Sequence, residues 1–164
     1  MIAGEALAAR LVGAAKQSDW KAIHGLLDWR LGRARAFAVA LAQLDPGERE
    51  EMAQRGIADL AATEARAEDA MGVLGKLVRE LSYPTRIRAP TDAERARALA
   101  ELQVPAAPSH VSAGIEAELA ELRAGAAAIR DVVVIDSEGP RPRSFLFAVP
   151  AGAARLVHLE PETP

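Results

Sequence analysis

The sequence predicts a mainly α-helical fold, an antiparallel helical hairpin or bundle, that ends in a small antiparallel β meander. Half of the 164 residues are hydrophobic and only 4% are aromatic. Alanine and leucine dominate the apolar residues, and this composition favours helices that pack closely together. Apolar residues recur at helical spacing through most of the chain, whereas β-branched residues bounded by glycine and proline follow toward the C-terminus.

Three helices are expected in the first half of the chain, at residues 3–16, 20–44 and 48–81. Ser18 or Asp19 can cap the second helix, because a short side-chain oxygen accepts a hydrogen bond from the free amides of the first turn. Asp45, Pro46 and Gly47 stop this helix and start the next one. The chain is therefore expected to reverse its direction at this turn.

A linker between Pro84 and Pro90 is expected to separate these helices from two shorter ones, at residues 92–104 and 113–130. Beyond them the chain reads VVVID and then SFLFAV, which is interpreted as an alternating strand. Three strands are predicted there, at residues 132–136, 144–149 and 154–159.

The predicted elements fall into three parts. Residues 1–84 are expected to form the helical hairpin core, residues 91–130 the two shorter helices, and residues 131–160 the β meander. Since the linkers between these parts are short, the three parts are expected to form one compact unit.

A charged pair is predicted to fix the register of the hairpin. The apolar seam of the second helix is interrupted by Arg30, and that of the third helix by Glu64. When the two helices fold back on each other, these two residues come opposite each other. A slipped register would leave each charge facing apolar side chains, although the pair itself adds little net stability. The alternative is that both side chains lie at the edge of the seam and extend into water.

Composition and motifs argue against several classes of function. A net charge of -3 and a pI near 5.7 disfavour nucleic-acid binding, and the chain has no cysteine for thiol chemistry or disulfides. His24 and Asp28 have metal-ligand spacing on a helix, but no further ligand accompanies them, and a histidine paired with a helix neighbour is the expected reading. No catalytic motif, cofactor motif or membrane span is found. The protein is therefore expected to be a cytoplasmic, soluble non-enzyme without a metal or cofactor.

Two kinds of residue are candidates for binding a protein partner. Ile115, Leu119 and Leu122 form a narrow apolar stripe on the helix predicted at 113–130, and Arg33 and Arg35 belong to a basic cluster with Arg30. The stripe, like Leu7, Leu11 and Val12 on the first helix, can instead be core. A second basic set, Arg86, Arg88, Arg141 and Arg143, is expected in loops. Ordinary surface charge is the expected reading of the basic residues, and the alternatives are a nucleic-acid site or contact with an acidic patch of a protein partner.

One segment resembles a known family. Ser18, Asp19, Trp20, Ile23, Leu27 and Arg30, followed by a helix of the form GIADLAATEARAEDAM, are similar to the core of flagellar type III export chaperones of the FliT and FlgN type. The resemblance covers about residues 14–81. It implies a cytoplasmic escort that keeps an axial subunit soluble by holding it on an apolar helix face.

Two hypotheses are preferred from the sequence over a third, an enzyme or metal protein that uses His24 and acidic residues. The first is a protein-binding chaperone or adaptor. The alternative is a structural subunit of a larger assembly, a phage-like particle or secretion device, in which the C-terminal strands extend a sheet in a neighbouring subunit. Both hypotheses expect a protein partner or self-association, and neither expects nucleic acid.

Overall fold

The computed structural model describes residues 3–28, 41–65, 75–103, 109–152 and 155–159. The helices are α1 (Ala3–Lys16), α2 (Trp20–Leu26), α3 (Pro46–Ala65), α4 (Asp92–Glu101) and α5 (Ala113–Ala127). Residues 75–81 are also helical and are referred to as segment 75–81. The strands are β1 (Thr85–Arg88), β2 (Asp131–Ser137), β3 (Arg143–Val149) and β4 (Val157–Leu159). A mainly helical chain with a C-terminal β meander is thus confirmed.

The sheet has four strands, in the order β1-β2-β3-β4, and every neighbouring pair is antiparallel. The sequence predicted only the last three, and the expectation of a simple linker between Pro84 and Pro90 is wrong because β1 lies inside it. A strand with proline on both sides is typical of a sheet edge, where a missing amide hydrogen removes no ladder bond. β1 has one such edge, because β2 is its only neighbour in the sheet among the described residues.

The two central strands are buried on both faces. Side chains on one face join a cluster formed by α1, α2 and segment 75–81, and we call this the α1 face; its strand residues are Val133, Ile135, Phe145, Phe147 and Val149. Side chains on the other face pack with residues of α3, α4 and α5, and we call this the α4 face; its strand residues are Val132, Val134, Leu146, Ala148 and Val157. The sheet is therefore the middle layer of the molecule.

The interpretation of SFLFAV as a strand with alternating exposure is wrong. Residues 145–149 are all buried, so β3 has no face turned to water. Continuous apolar runs such as VVVI and FLFAV are the pattern of strands that are covered on both sides. The meander is accordingly part of the core and not an appendage to a helical bundle.

A Schellman-type turn connects α1 to α2. The amide of Ser18 donates to the carbonyl of Ala15 at 3.1 Å, and that of Asp19 donates to Ala14 at 3.0 Å. Ser18 has a φ of 52°, in the left-handed region that favours glycine. Asp19 then caps α2 by accepting a hydrogen bond from the amide of Ala22 at 3.1 Å. The predicted capping by Ser18 or Asp19 is confirmed, with Asp19 as the cap.

Replacing Ser18 by glycine is expected to stabilise the protein by about 0.5–1 kcal/mol, because glycine adopts the left-handed conformation without the Cβ penalty. The free energy of unfolding from urea titration would measure this gain. Gln17→Gly is the matched control, since Gln17 does not have a positive φ, and it should lose stability through added backbone freedom. Equal losses in both variants would contradict the strain assigned to Ser18.

The second helix is shorter than predicted. It ends at Leu26, and Leu27 is extended, with φ -115° and ψ 135°. Leu27 forms a parallel bridge with Leu156, in which Leu156 donates to Leu26 at 2.8 Å and Asp28 donates to Leu156 at 2.7 Å. These bonds satisfy the backbone where the helix would have continued. The prediction of one continuous helix over residues 20–44 is therefore wrong at Leu27, and the part of that prediction at residues 29–40 lies outside the described residues.

The predicted hairpin seam is only partly within the described residues. Arg30 lies outside them, and Glu64 belongs to α3, but its side chain is not described. The heptad count that placed the two opposite each other ran through Leu27, which is not helical. The pairing of Arg30 with Glu64 stays a prediction. The continuous helical seam from which this pairing was derived is interrupted at Leu27.

Candidate functional site

The apolar stripe of α5 is core and not an exposed binding face. Ile115, Leu119 and Leu122 are buried and pack on the α4 face of the sheet. The prediction that these residues bind a partner is therefore wrong. The sheet of the same chain covers the apolar stripe. Leu7, Leu11 and Val12 of α1 are buried in the same way on the α1 face. Arg33 and Arg35 lie outside the described residues.

Neither a cluster of metal ligands nor a membrane-spanning helix is found among the described residues. No group of three or more histidine, cysteine, aspartate or glutamate residues that could hold a metal ion occurs among them. His24 is half-buried on α2, and its Nε2 has no hydrogen-bond partner. None of the helices in the described ranges is both long enough and apolar enough to cross a bilayer.

Two basic segments that are far apart in sequence meet at one end of the sheet. Arg86 of β1 lies opposite Asp136 of β2, and Asp136 lies opposite Ser144 of β3. Arg143 lies opposite Ser137, so β1 begins and β2 ends beside the start of β3. We call the group formed by Arg86, Arg141 and Arg143 the basic end. Arg86 is on the α4 face and Arg143 on the α1 face, so the group surrounds the end of the sheet.

The three guanidinium groups of the basic end are available to a partner. Arg86 and Arg141 are exposed and Arg143 is half-exposed. None of the three guanidinium groups forms a hydrogen bond or an ion pair with any residue in the described part of the chain. Glu138, in the turn between β2 and β3, is an exposed carboxylate close by, so the local excess of positive charge is small. Recognition here would depend on directed bonds from the guanidinium groups more than on long-range attraction.

Gly139 lies in the turn between β2 and β3 and allows this turn to pack closely against the residues that precede β1. A Cβ atom at Gly139 would lie 2.6 Å from Cδ2 of the Tyr83 ring, so a larger residue would require the ring or the turn to shift. The tyrosine ring therefore packs directly on the backbone of the turn that carries Arg141. The hydroxyl of Ser137 adds a second tie by donating to the carbonyl of Glu80 at 2.7 Å.

Arg88 lies two residues from Arg86 on the same face of the sheet. In contrast to the basic end, its guanidinium group forms ion pairs within the chain. Its Nη1 and Nη2 donate to the two carboxylate oxygens of Glu94 at 2.8 and 2.9 Å. Its Nε and Nη2 donate to Asp136 at 2.7 and 3.2 Å, and the hydroxyl of Ser144 donates to Asp136 at 2.6 Å. One guanidinium thus links β1, β2 and the first turn of α4 by two bidentate contacts, the strongest geometry available to arginine.

These contacts shift the ionisation of all three partners. Hydrogen bonds from Arg88 lower the pKa of Glu94 to about 2 from its usual 4.5. Burial raises the pKa of Asp136, but the hydrogen bonds from Arg88 and Ser144 outweigh it and the net shift is downward. The bonds to Glu94 and Asp136 raise the pKa of Arg88. Glu94 also completes a capping box with Thr91, which fixes where α4 begins.

Acidification is expected to destabilise the protein through Glu94. A carboxyl whose folded-state pKa is lowered contributes stability above its unfolded pKa of 4.5, and that contribution is lost as pH falls toward about 2. The loss should reach up to about 3 kcal/mol in urea titrations at stepped pH. Glu94→Gln keeps an oxygen for the capping box but cannot titrate, so its stability should depend less on pH in this range. Equal pH dependence in the two proteins would contradict the assignment to Glu94.

Arg49 and Glu50 have structural roles that the sequence did not suggest. Both belong to the EREE segment at the start of α3, and charges in the first turn of a helix are commonly solvated and interact with the helix dipole. Arg49 donates to the carbonyl of Leu44 at 3.0 Å and to the carbonyl and hydroxyl of Ser109, both at 3.2 Å. Glu50 accepts a hydrogen bond from the amide of Ser112, the cap of α5, and the bonds from the hydroxyl and amide of Ser112 lower the pKa of Glu50. The contacts of Arg49 with Ser109 and of Glu50 with Ser112 span 60 and 62 residues of sequence, so these roles are recognised only in the folded structure.

The structure limits how the C-terminal strands can join a neighbour. β2 and β3 each have a strand on both sides, so their backbone groups are used inside the chain. The edge strands are β1 and β4, and the residue before β4 is already bridged to Leu27. An extension of the sheet through β2 or β3, as the assembly hypothesis allows, is therefore not possible in this fold.

Comparison with protein-family models, curated sequences and solved structures gives no significant match to this chain.

Proposed function

We propose that the protein is a non-enzymatic adaptor that binds an acidic segment of a partner protein through its basic end. The observation that carries the proposal is the contrast among neighbouring arginines. Arg88 is neutralised by two carboxylates, whereas Arg86, Arg141 and Arg143 have no acidic partner among the described residues. The planar guanidinium group matches a carboxylate by paired hydrogen bonds, so unpaired arginines gathered from two distant segments are candidates for binding a carboxylate of another molecule.

A protein partner is favoured over nucleic acid. The chain has a net charge of -3, so it lacks the broad positive field that supplies most of the affinity for a phosphate backbone. Three arginines around one end of a sheet suit a short acidic segment better than a duplex or a long single strand. The more specific form of this proposal, an escort of the flagellar export-chaperone kind, has only the resemblance over residues 14–81 in its support.

The test compares two charge-reversal variants. The first carries Arg86→Glu, Arg141→Glu and Arg143→Glu. The matched control carries Arg10→Glu, Lys16→Glu and Lys21→Glu, which makes the same change in net charge at exposed positions of α1 and α2. Both variants and the parent protein are used to capture partners from the lysate of the source organism, after nuclease treatment. The affinity of the purified partner is then measured by calorimetry.

We expect the parent and the control to retain one partner with an acidic contact segment, and the basic-end variant to lose it. Binding should also weaken as salt concentration rises, because the contact is between exposed charges. A partner retained equally by all three proteins would overturn the proposal, as would a ligand that nuclease removes. A flagellar or secreted client as the captured partner would support the export-chaperone form.

A further inference from the structure

The outer edge of β1 is an unpaired strand edge next to the basic end. β1 pairs with β2 on one side only. No backbone group of residues 85–88 forms a hydrogen bond with a described residue other than those of β2. Arg86 is exposed, and the other three residues of β1 are half-buried.

The register identifies which backbone groups face outward. Glu138 donates to the carbonyl of Pro84 at 2.9 Å, so this pair is a hydrogen-bonded pair of the antiparallel ladder. Hydrogen-bonded and non-hydrogen-bonded pairs alternate along such a ladder. Arg86 and Arg88 therefore direct their amides and carbonyls toward β2, whereas Thr85 and Ile87 direct theirs away from the sheet. The free edge presents two N–H and two C=O groups.

Self-association through this edge is disfavoured by charge. If a second copy of β1 paired with the first about a two-fold axis, Thr85 would lie opposite Ile87 and Arg86 opposite Arg86 of the other copy. Like charges directly opposite each other on one face are destabilising, and charged edge residues commonly prevent edge-to-edge pairing. The same charge would attract an acidic residue at that position.

We propose that the free edge of β1 accepts an extended antiparallel segment of the partner as a fifth strand, with an acidic side chain opposite Arg86 and apolar side chains opposite Thr85 and Ile87. The apolar positions lie on the α1 face, where Ile87 packs against the core cluster. A neutral residue fits opposite Arg88, since that guanidinium already has two carboxylates. Main-chain hydrogen bonds supply affinity in this mode of recognition, and alternate side chains supply specificity. This inference rests on the proposed function and specifies how the acidic segment is bound.

The experiment uses the acetylated and amidated peptide Val-Glu-Val-Glu as the probe, because its antiparallel register places the first glutamate opposite Arg86, the second opposite Pro84 and neither opposite Arg88. Its binding to the isotope-labelled full chain is followed by NMR, and amide hydrogen exchange is measured before and after addition. The valines, opposite Thr85 and Ile87, would direct their amides toward β1, whereas the glutamates would direct theirs away. A peptide N-methylated at the valines therefore removes the edge contacts, and one N-methylated at the glutamates is the matched control with the same charge and methyl count.

We expect the valine-methylated peptide to bind roughly tenfold more weakly than the glutamate-methylated one, because it loses the donors to the edge. The amides of Thr85 and Ile87 should exchange rapidly in the free protein and become protected on binding. The amides of Arg86 and Arg88, already bonded to β2, serve as internal references and should change little. A lysine-for-glutamate peptide should bind at least as weakly as the valine-methylated one.

Other occupants of the edge would be recognised in the same experiment. Protection of Thr85 and Ile87 before peptide addition, independent of protein concentration, would mean that the chain itself covers the edge and would overturn the inference. Protection that rises with protein concentration would assign the edge to a second copy and overturn it equally. Equal binding of the two methylated peptides, with partner binding still lost in the basic-end variant, would leave the proposed function standing and refute strand addition. Retention of the partner by that variant would refute both.

Discussion

Leu146→Ala and Phe147→Ala are each expected to destabilise the protein strongly, although the two adjacent side chains point to opposite faces of the sheet. Leu146 is 3% exposed on the α4 face, and Phe147 is fully buried on the α1 face. Truncating a buried leucine costs about 2–5 kcal/mol, and truncating a buried phenylalanine costs about 3–5 kcal/mol, since apolar burial is lost and a cavity remains. Urea denaturation followed by circular dichroism would measure both losses.

This pair of substitutions tests whether the sheet is the middle layer. A meander appended to a helical bundle would bury one face only, and one of the two truncations would then cost less than about 1 kcal/mol. Met52→Ala is the control, because Met52 is an exposed hydrophobic residue of α3 at 39%. Its truncation should change stability by no more than about 0.5 kcal/mol. A small effect at either Leu146 or Phe147 would mean that this face of β3 is open to water.

The sequence was sufficient for the elements whose stabilising contacts are local. Thr91 and Glu94 form a capping box, and α4 begins at the residue after Thr91. Ser112 caps α5 by accepting a hydrogen bond from the amide of Ile115. β2 and β3 also lie within one residue of their predicted starts. Short-range hydrogen bonds and β-branched runs decide these boundaries, so a single sequence carries the information.

Elements that depend on distant partners could not be predicted in the same way. α2 ends at Leu26 because Leu27 pairs with Leu156, near the other end of the chain. β1 contains one large apolar residue, Ile87, and becomes a strand through its ladder with β2. Tertiary pairing overrides helix propensity at Leu27 and supplies a partner for β1, and neither effect leaves a periodic signal in the local sequence.

The candidate site shows the same division. The sequence identified Arg86, Arg141 and Arg143 as basic residues in two separate segments, but the register of β1, β2 and β3 is what brings them to one end of the sheet. The apolar stripe of α5 was visible in the sequence as well. Its role was not, because a helix face that packs on a sheet of the same chain has the same pattern as one that binds a partner.

Arg88→Met is expected to destabilise the protein by about 2–4 kcal/mol at neutral pH. The substitution keeps most of the apolar stem but leaves Glu94 and Asp136 without their shared cation, and both carboxylates are largely shielded, at 18% and 27% side-chain exposure. Removing one member of a shielded ion network costs more than the intact network contributes, because the remaining charges are left desolvated and repel each other. Arg86→Met is the control on the same strand and face, and since Arg86 is exposed and unpaired among the described residues, its replacement should change stability by less than about 0.5 kcal/mol.

The pH dependence of the Arg88→Met variant separates a lost ion network from a loss of packing. Without Arg88, the pKa of Glu94 should rise from about 2 toward its unfolded value of 4.5, since the hydrogen bonds from Arg88 are the largest cause of the lowered pKa and burial disfavours the charged form. A smaller difference between the folded and unfolded pKa values of Glu94 means that the variant should lose less stability than the parent as pH falls through that range. The difference in unfolding free energy between the two should therefore shrink from pH 7 toward pH 3. A difference that stays constant over this range would instead assign the whole effect of the substitution to packing of the arginine stem.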